Sequence, residues 1–412
     1  MAEPCVGYNR ECRPPLRPIT ERFRGLESAR ERRLRHRARE RSVKRLRIGL
    51  VAPPWFAVPP HGYGGIEWVV SSLADGLVER GHDVTLFASG GSRTSARLVS
   101  TYAEPPSAAL GDAFVESAAL LDAYANAAGF DVIHDHTVLG LLAGATQPVP
   151  VVHTVHGLVD PRLERLYERL AGRVHIVAIS RDQAASLPPV CAPTVIHNGI
   201  RLDRFPMGNG ERGGWLLFVG RVNPEKGILE AIEIARRTGR RLRVIAKVNE
   251  ANEQEYFREQ VAPALETIDH DLLLSATHEE KVAAYQGAAA TLFPICWREP
   301  FGLVMAESMA CGTPVIAFRR GSAPEVIADG VTGFVRDTVD EAVEAVAHIG
   351  EIDPNRCRAR VAELFSAEAN VARHEALYLA LTGAKAEPPS IAPGPAAAAP
   401  RLTTAVATAP AT

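Results

Sequence analysis

Short apolar runs alternate with longer amphipathic stretches over most of this 412-residue chain, and that alternation settles the fold class before any single residue does. LRIGLVAP (46–53) is a continuous apolar run stopped by Pro53 and Pro54, the pattern of a strand buried on both faces. After the loop WFAVPPHGYGG, the stretch 66–81 sets Val69, Val70, Leu73, Leu77 and Val78 at three- and four-residue steps. That is the period of a helix with one buried face, and Gly81 ends it. HDVTLFAS (82–89), FDVIHDH (130–136), VPVVHTV (149–155), VHIVAIS (174–180) and PTVIHNG (193–199) predict further strands. Strands separated by helix-length segments are the mark of βαβ units and a parallel sheet covered on both sides.

A polar break, RLDRFPMGNGERGG (201–214), precedes a second half in which the pattern restarts. WLLFVGR (215–221), LRVIAKV (242–248), LLLSA (272–276), ATLFPI (290–295) and TPVIAF (313–318) read as strands. Helices are predicted at 227–239, 279–288, from about Gly302, and at about 338–349 and 366–381. The resulting class is α/β: two Rossmann-like, doubly wound parallel-sheet domains, 46–200 and 201–365, facing across a cleft. A helix at 366–382 crosses back to the first domain. Ligands of such sheets bind beyond the carboxyl ends of the strands, so the loops there should line the cleft.

Residues 1–45 hold thirteen Arg and Lys44 against six Glu, a net of +8 that leaves −10 for the rest. In ESARERRLRHRARER (27–41) only Leu34 is a sizeable apolar side chain, so no face can be buried. This stretch reads as a solvated, disordered leader, with a phosphate- or lipid-binding arm as the alternative. Residues 383–412, mostly Ala, Pro, Thr and Gly, read as a disordered tail.

The whole-chain formal charge of −2 argues against a nucleic-acid partner. No run of about 20 apolar residues predicts a spanning helix, and the Arg-rich start lacks the apolar stretch of a secretory signal. Six scattered cysteines without a CxxC pair fit a reducing cytoplasm and neither a disulfide scaffold nor a zinc ribbon.

The most informative stretch is CWREPFGLVMAESMACGTPVIAF (296–318). Pro300 keeps Glu299 in the loop ahead of a helix, at the cleft mouth. The free amides of Phe301, Gly302 and Leu303 at the helix start make an anion or hydroxyl site, and Glu307, further along, can take the diol of a ribose. In FVGRVNPEKG, Arg221 ends a strand and Lys226 starts a helix; two cations beside a cleft can hold a diphosphate, although either alone reads as a surface charge. Gly64 and Gly65 of GYGGIEWVV permit close backbone approach to a phosphate, or else form a plain strand-to-helix turn. HTVHG puts His153 and His156 at a strand end. His134 and His136 have the spacing of a metal pair but lack further ligands in context; they read as cleft lining or loop packing, with no metal.

Together, EPFGLVMAE with its Glu299-x7-Glu307 spacing, CGTPVIAFRRGSAPEVI, GYGGIEWVV, HTVHG, IHNGI, FVGRVNPEKG and DGVTGFV strongly resemble the retaining family 4 glycosyltransferases of the GT-B fold, over about residues 46–381. The resemblance implies transfer of a hexose, with retention, from a nucleotide diphosphate sugar to a hydroxyl acceptor. UDP-glucose-like donors rank first and GDP-mannose second. It makes Glu299, Arg221, Lys226 and His156 catalytic: Arg221 and Lys226 clamp the pyrophosphate, His156 places sugar and acceptor, and Glu299 holds sugar hydroxyls rather than attacking. It places Gly64, Gly65, Phe301, Gly302, Leu303, Glu307, Lys247 and Asn198 around the donor, with the base near Lys247–Asn249 and Ala276–His278. Gly321, Ser322 and Glu325 form a further cleft loop, in which Ser322 stands where many relatives have a second glycine, a departure that weakens the carry-over of that loop's backbone geometry. First-domain loops at about 54–63 and 89–112 read the acceptor, whether sugar, lipid-linked or small molecule. No cofactor or metal is needed, and with a lipid acceptor the basic leader would give peripheral membrane contact. A nucleotide-sugar hydrolase, epimerase or phosphorylase, or a non-catalytic nucleotide-sugar-binding module, are the rival readings of the same fold.

Overall fold

Thirteen strands form two parallel sheets in the computed structural model, which describes residues 44–62 and 64–383. The leader up to Val43, Tyr63 and the tail from residue 384 lie outside the described residues. The first sheet comprises β1 (Arg47–Val51), β2 (Asp83–Phe87), β3 (Arg97–Val99), β4 (Val132–Asp135), β5 (Val151–Val155), β6 (His175–Ala178) and β7 (Thr194–Val195), in the order β3-β2-β1-β4-β5-β6-β7. The second comprises β8 (Leu216–Arg221), β9 (Leu242–Lys247), β10 (His270–Leu274), β11 (Ala290–Phe293), β12 (Val315–Phe318) and β13 (Gly333–Arg336), in the order β10-β9-β8-β11-β12-β13. Every pairing is parallel.

Both sheets reverse their winding once, between β1 and β4 and between β8 and β11. The crevice at such a reversal is where open α/β sheets take ligands. The loops that leave these four strands carry Gly64, His136, Lys226 and Glu299.

Helix α1 (Gly65–Glu79) buries Val70, Leu73 and Leu77 against one face of the first sheet. Helix α2 (Ala113–Tyr124) covers the other face with Leu120, Ala123 and Tyr124. In the second lobe α3 (Ile228–Thr238), α4 (His278–Gly287) and α5 (Leu303–Ala310) surround a single apolar core that includes Leu217, Phe218, Leu292 and Ile316. Helix α6 (Pro354–Leu364) follows, and α7 (Ala367–Leu381) returns to the first lobe. There Val371, Tyr378 and Leu379 join the core of α1, with Val371 lying against Gly76. Glu375 of α7 accepts from Arg80 at 2.7 Å and faces His82 at 2.9 Å.

The two chain crossings between lobes are tied together. Ile200 N donates to Phe365 O, and Ala367 N donates to Ile200 O, both at 2.9 Å.

Several elements depart from the sequence expectations. β3 (RLV) and β13 (GFVR) each offer only two consecutive apolar side chains, too few to stand out as an apolar run. β3 also places a strand inside the 89–112 stretch read as a loop. Helix α2 is hidden by apolar residues on both sides: Phe114 and Leu121 are exposed opposite its core face. Helix α6 buries chiefly Cys357 and Val361, so its sequence looks like a charged loop. Among the described residues no helix is long and apolar enough to cross a membrane.

Candidate active site in the interlobe cleft

Asn223 caps the 3-10 turn Pro224–Lys226, its side chain accepting from Lys226 N at 3.1 Å. Gly227 then takes a left-handed φ of +74° where a Cβ would collide with the carbonyl oxygen of Pro294. The loop after β8 is thereby laid against the loop after β11, and Cys296 N donates to Glu225 O at 2.8 Å. This packing brings Lys226 Nζ to 2.5 Å from Glu299 Oε2. Trp297 Nε1 donates to the same oxygen at 2.8 Å, and the ammonium lies 4.6 Å from the Trp297 ring centre. Two residues 73 positions apart thus form one charge pair, with the Lys226 and Glu299 side chains only 21% and 12% exposed.

Ser322 holds that loop in place. It is fully buried, its hydroxyl donates to Phe301 O at 2.7 Å, and its N–H donates to Glu299 O at 2.9 Å. Beside it Gly321, at φ +53°, gives passage to the backbone of Glu299. The Phe301 ring is a core group, packed between His197 and Phe365, so only its backbone is placed to meet a ligand. Gly302 is the N-cap of α5 without a side-chain cap, and Leu303 and Val304 face the cleft.

The cleft has a volume of about 560 Å³ and is lined from both lobes, by Gly64, Gly65 and Trp68 on one side and by Arg221, Lys247, Ser275–His278, Lys281, Leu303 and Glu307 on the other. Arg201 and Arg204, after the hinge, add two further cations. The Arg204 guanidinium stacks on Trp68 at 3.4 Å from the ring centre. Glu307 is the one carboxylate among the described lining residues; it accepts from Lys281 at 3.0 and 3.1 Å and from the Tyr285 hydroxyl at 2.9 Å.

Arg221 and Lys247 are partners in the β8–β9 register. Burial lowers the Lys247 pKa; Glu253 opposes that shift and Arg221 adds to it. The Arg221 guanidinium is gripped by Glu253 at 2.5 Å and by Glu250 at 2.6 Å. These two acids form a capping box at the start of the helix Ala251–Tyr256. Sequence reasoning misses them, although NEANE directly after a strand is itself a helix-start pattern.

His156, like Lys226 and Glu299, is not among the residues that line this cleft. Its Nε2 faces His136 Nδ1 at 2.8 Å with the rings stacked, and His134 lies 4.0 Å beyond, centre to centre. His134 spends one ring nitrogen on the Tyr378 hydroxyl and the other on Thr154, at 2.5 and 2.7 Å, which leaves it no lone pair for a metal. Burial, reinforced by the neighbouring rings His153 and His374, pushes the His156 pKa down to about 3. His153 and His374 fall to about 4 by burial, and His134 and His136 well below the usual value. The five imidazoles form a neutral cluster, in which only the His136 and His156 rings are stacked. Asn198 is buried at the hinge, while its neighbours Gly199 and Ile200 line the cleft.

Residues 200–361 match the family described as Glycosyl transferases group 1, and residues 63–204 match Glycosyltransferase Family 4. The chain belongs to the family 4 glycosyltransferases. Its curated relatives include a D-inositol 3-phosphate glycosyltransferase of Geodermatophilus obscurus, 30% identical over 53% of this chain and 58% of that protein. An alpha-maltose-1-phosphate synthase of Mycobacterium tuberculosis is 28% identical over 71% and 86%. Among solved structures, AviGT4, a glycosyltransferase involved in avilamycin A biosynthesis, superposes with a TM-score of 0.63 at 26% identity, covering 82% of this chain and 99% of that one.

In this glycosyltransferase the lobes also meet beside Glu299. Arg298 donates to both carboxylate oxygens of Asp182, at 2.6 and 3.0 Å, and Arg181 N donates to Glu325 at 2.8 Å. The enzyme therefore holds its two halves together at the hinge, at Arg204–Trp68, and at this third contact.

Proposed function

We propose that this glycosyltransferase moves a hexose from a nucleotide diphosphate sugar to a hydroxyl acceptor with retention at the anomeric carbon. The observation that carries the proposal is the meeting of Lys226 and Glu299 at the winding reversal of the second sheet, next to the basic strand ends Arg221 and Lys247. A departing nucleotide diphosphate needs fixed positive charge, and Lys226, Arg221 and the amides at the start of α5 supply it without calling on a metal. Glu299, held by Lys226 and Trp297, orients hydroxyls of the transferred sugar. A donor phosphate oxygen accepts the acceptor's proton on the face the leaving group vacates. Neutral His156 positions sugar and acceptor from the first lobe and carries no charge of its own.

Glu307 takes the ribose diol with the acceptor capacity left beside Lys281 and Tyr285. The base lies along Ser275–Thr277, which line the cleft. Guanine presents an N1–H and an amino group that a carboxylate reads best, and Glu307 is already committed; uracil needs only a backbone N–H and C=O. This favours a UDP-sugar, UDP-glucose-like, over GDP-mannose. The acceptor is a small-molecule, sugar or lipid-linked hydroxyl, in line with the inositol phosphate that names one relative.

A thermal-shift panel of UDP-glucose, GDP-mannose and ADP-glucose tests the reading. A ligand at 100 times its dissociation constant adds about 2.7 kcal/mol of stability. UDP-glucose should give the largest shift, and without acceptor should turn over only slowly. Rapid turnover without acceptor would mark a hydrolase, and no shift with any nucleotide sugar would overturn the proposal.

A further inference from the structure

We propose that the short helix Arg181–Ala184 is a bridge that registers the two halves of the active site, with Asp182 and Gln183 as positioning residues. The inference rests on the reading of His156 and Glu299 as facing one another across the reaction.

The helix starts just past β6, with Ser180 as its cap accepting from Gln183 N at 3.0 Å. Gln183 is buried, accepts from Ile179 N at 2.8 Å, and donates through Nε2 to Gly157 O at 2.7 Å. Gly157 directly follows His156. Asp182 points the other way and takes Arg298 on both carboxylate oxygens, while its backbone carbonyl takes Arg298 Nη2 at 3.0 Å. Arg298 directly precedes Glu299. Two adjacent side chains on one helical turn therefore lead from the His156 loop to the Glu299 loop.

The pair is not an ordinary surface contact. An exposed ion pair in one loose geometry contributes little, but here a planar guanidinium makes three hydrogen bonds to a single residue. The Glu299 segment is also pinned within its own lobe by Ser322. A displacement at Arg298 thus moves the segment as a unit, and misplacement by about 1 Å can cost on the order of 100-fold in rate.

The test uses the full chain. Hydrogen exchange on the unliganded protein should show amides at 157–158 and those of Glu299, Phe301 and Gly302 exchanging about threefold faster in Asp182→Asn than in wild type, the scale of one partly exposed charge pair. Gln183→Ala should loosen chiefly 157–158, and Asp182→Glu should restore most of the protection. With UDP-glucose as the probe, Asp182→Asn and Arg298→Met should each lower kcat about tenfold with KM nearly unchanged. The double variant should be no worse than either single one, because both remove the same link. Wild-type exchange in both loops, or losses that multiply in the double variant, would overturn the inference. Lys226→Ala and Glu299→Gln judge the functional reading separately: if both stay fully active that reading falls, while the exchange data still decide the bridge.

Discussion

Replacing Lys226 with alanine removes the cation in the loop after β8 that is paired with Glu299. Its Nζ lies 2.5 Å from Glu299 and 4.6 Å from the Trp297 ring centre, on a side chain only 21% exposed. A unit charge about 4 Å from a departing phosphate oxygen is worth ~4 kcal/mol at an effective dielectric constant of 20. Solvent at the cleft mouth reduces that, and removal of one preorganised stabiliser costs roughly 10²–10³ in kcat. Because the charge it opposes grows only as the bond breaks, the loss should fall on kcat, with the donor KM changing by less than about threefold. The assay is initial-rate nucleotide release at saturating donor, with melting curves confirming that the variant is folded. A kcat within threefold of wild type, or a change confined to KM, would refute the reasoning.

Other outcomes follow from buried groups. Burial lifts the Glu67 carboxyl to about 7. Such an acid keeps its proton longer folded than unfolded, so its contribution to stability is lost as pH rises from about 4.5 to 7. Glu67→Gln should therefore gain on the order of 1–3 kcal/mol over wild type at pH 8 in urea unfolding, and little at pH 4; equal gains at both would contradict the assignment. The five neutral histidines act in the opposite direction, since the unfolded chain takes up protons below about 6.5 while the folded chain does not. Each can remove up to about 1.4 kcal/mol per pH unit below that point, so the urea midpoint should drop steeply between pH 6.5 and 5. A flat midpoint there would show the cluster to be solvated. Ser322→Ala strands the Phe301 carbonyl and should cost about 1–3 kcal/mol by thermal denaturation; an unchanged melting curve would refute that role.

What the sequence reveals here follows from what each feature depends on. The central strands are read within a residue or two because a parallel strand buried on both faces is an unbroken apolar run, as in LRIGLVAP. The edge strand β3 has exposed Arg97 and Leu98 and no such run. Helix α2 shows no single apolar stripe because Phe114 and Leu121 stand on its solvent side. Lys226 and Glu299 can each be found because a strand end or a helix start frames them. Their contact spans 73 positions and the Arg298–Asp182 contact spans 116, so neither appears in any local window. Ser322 shows the limit of reading by resemblance: where a glycine is usual, its hydroxyl joins the loop's hydrogen bonding. His156 shows another, since strand-end placement gives its position but not the burial that, with the neighbouring rings, keeps it neutral.

The most direct test is a crystal structure of the enzyme soaked separately with UDP and GDP. UDP should occupy the interlobe cleft with its terminal phosphate bonded to Lys226 and Arg221, its ribose on Glu307 and its uracil along Ser275–Thr277. A nucleotide bound elsewhere, or in the cleft with its phosphates turned away from Lys226 and Arg221, would contradict the account.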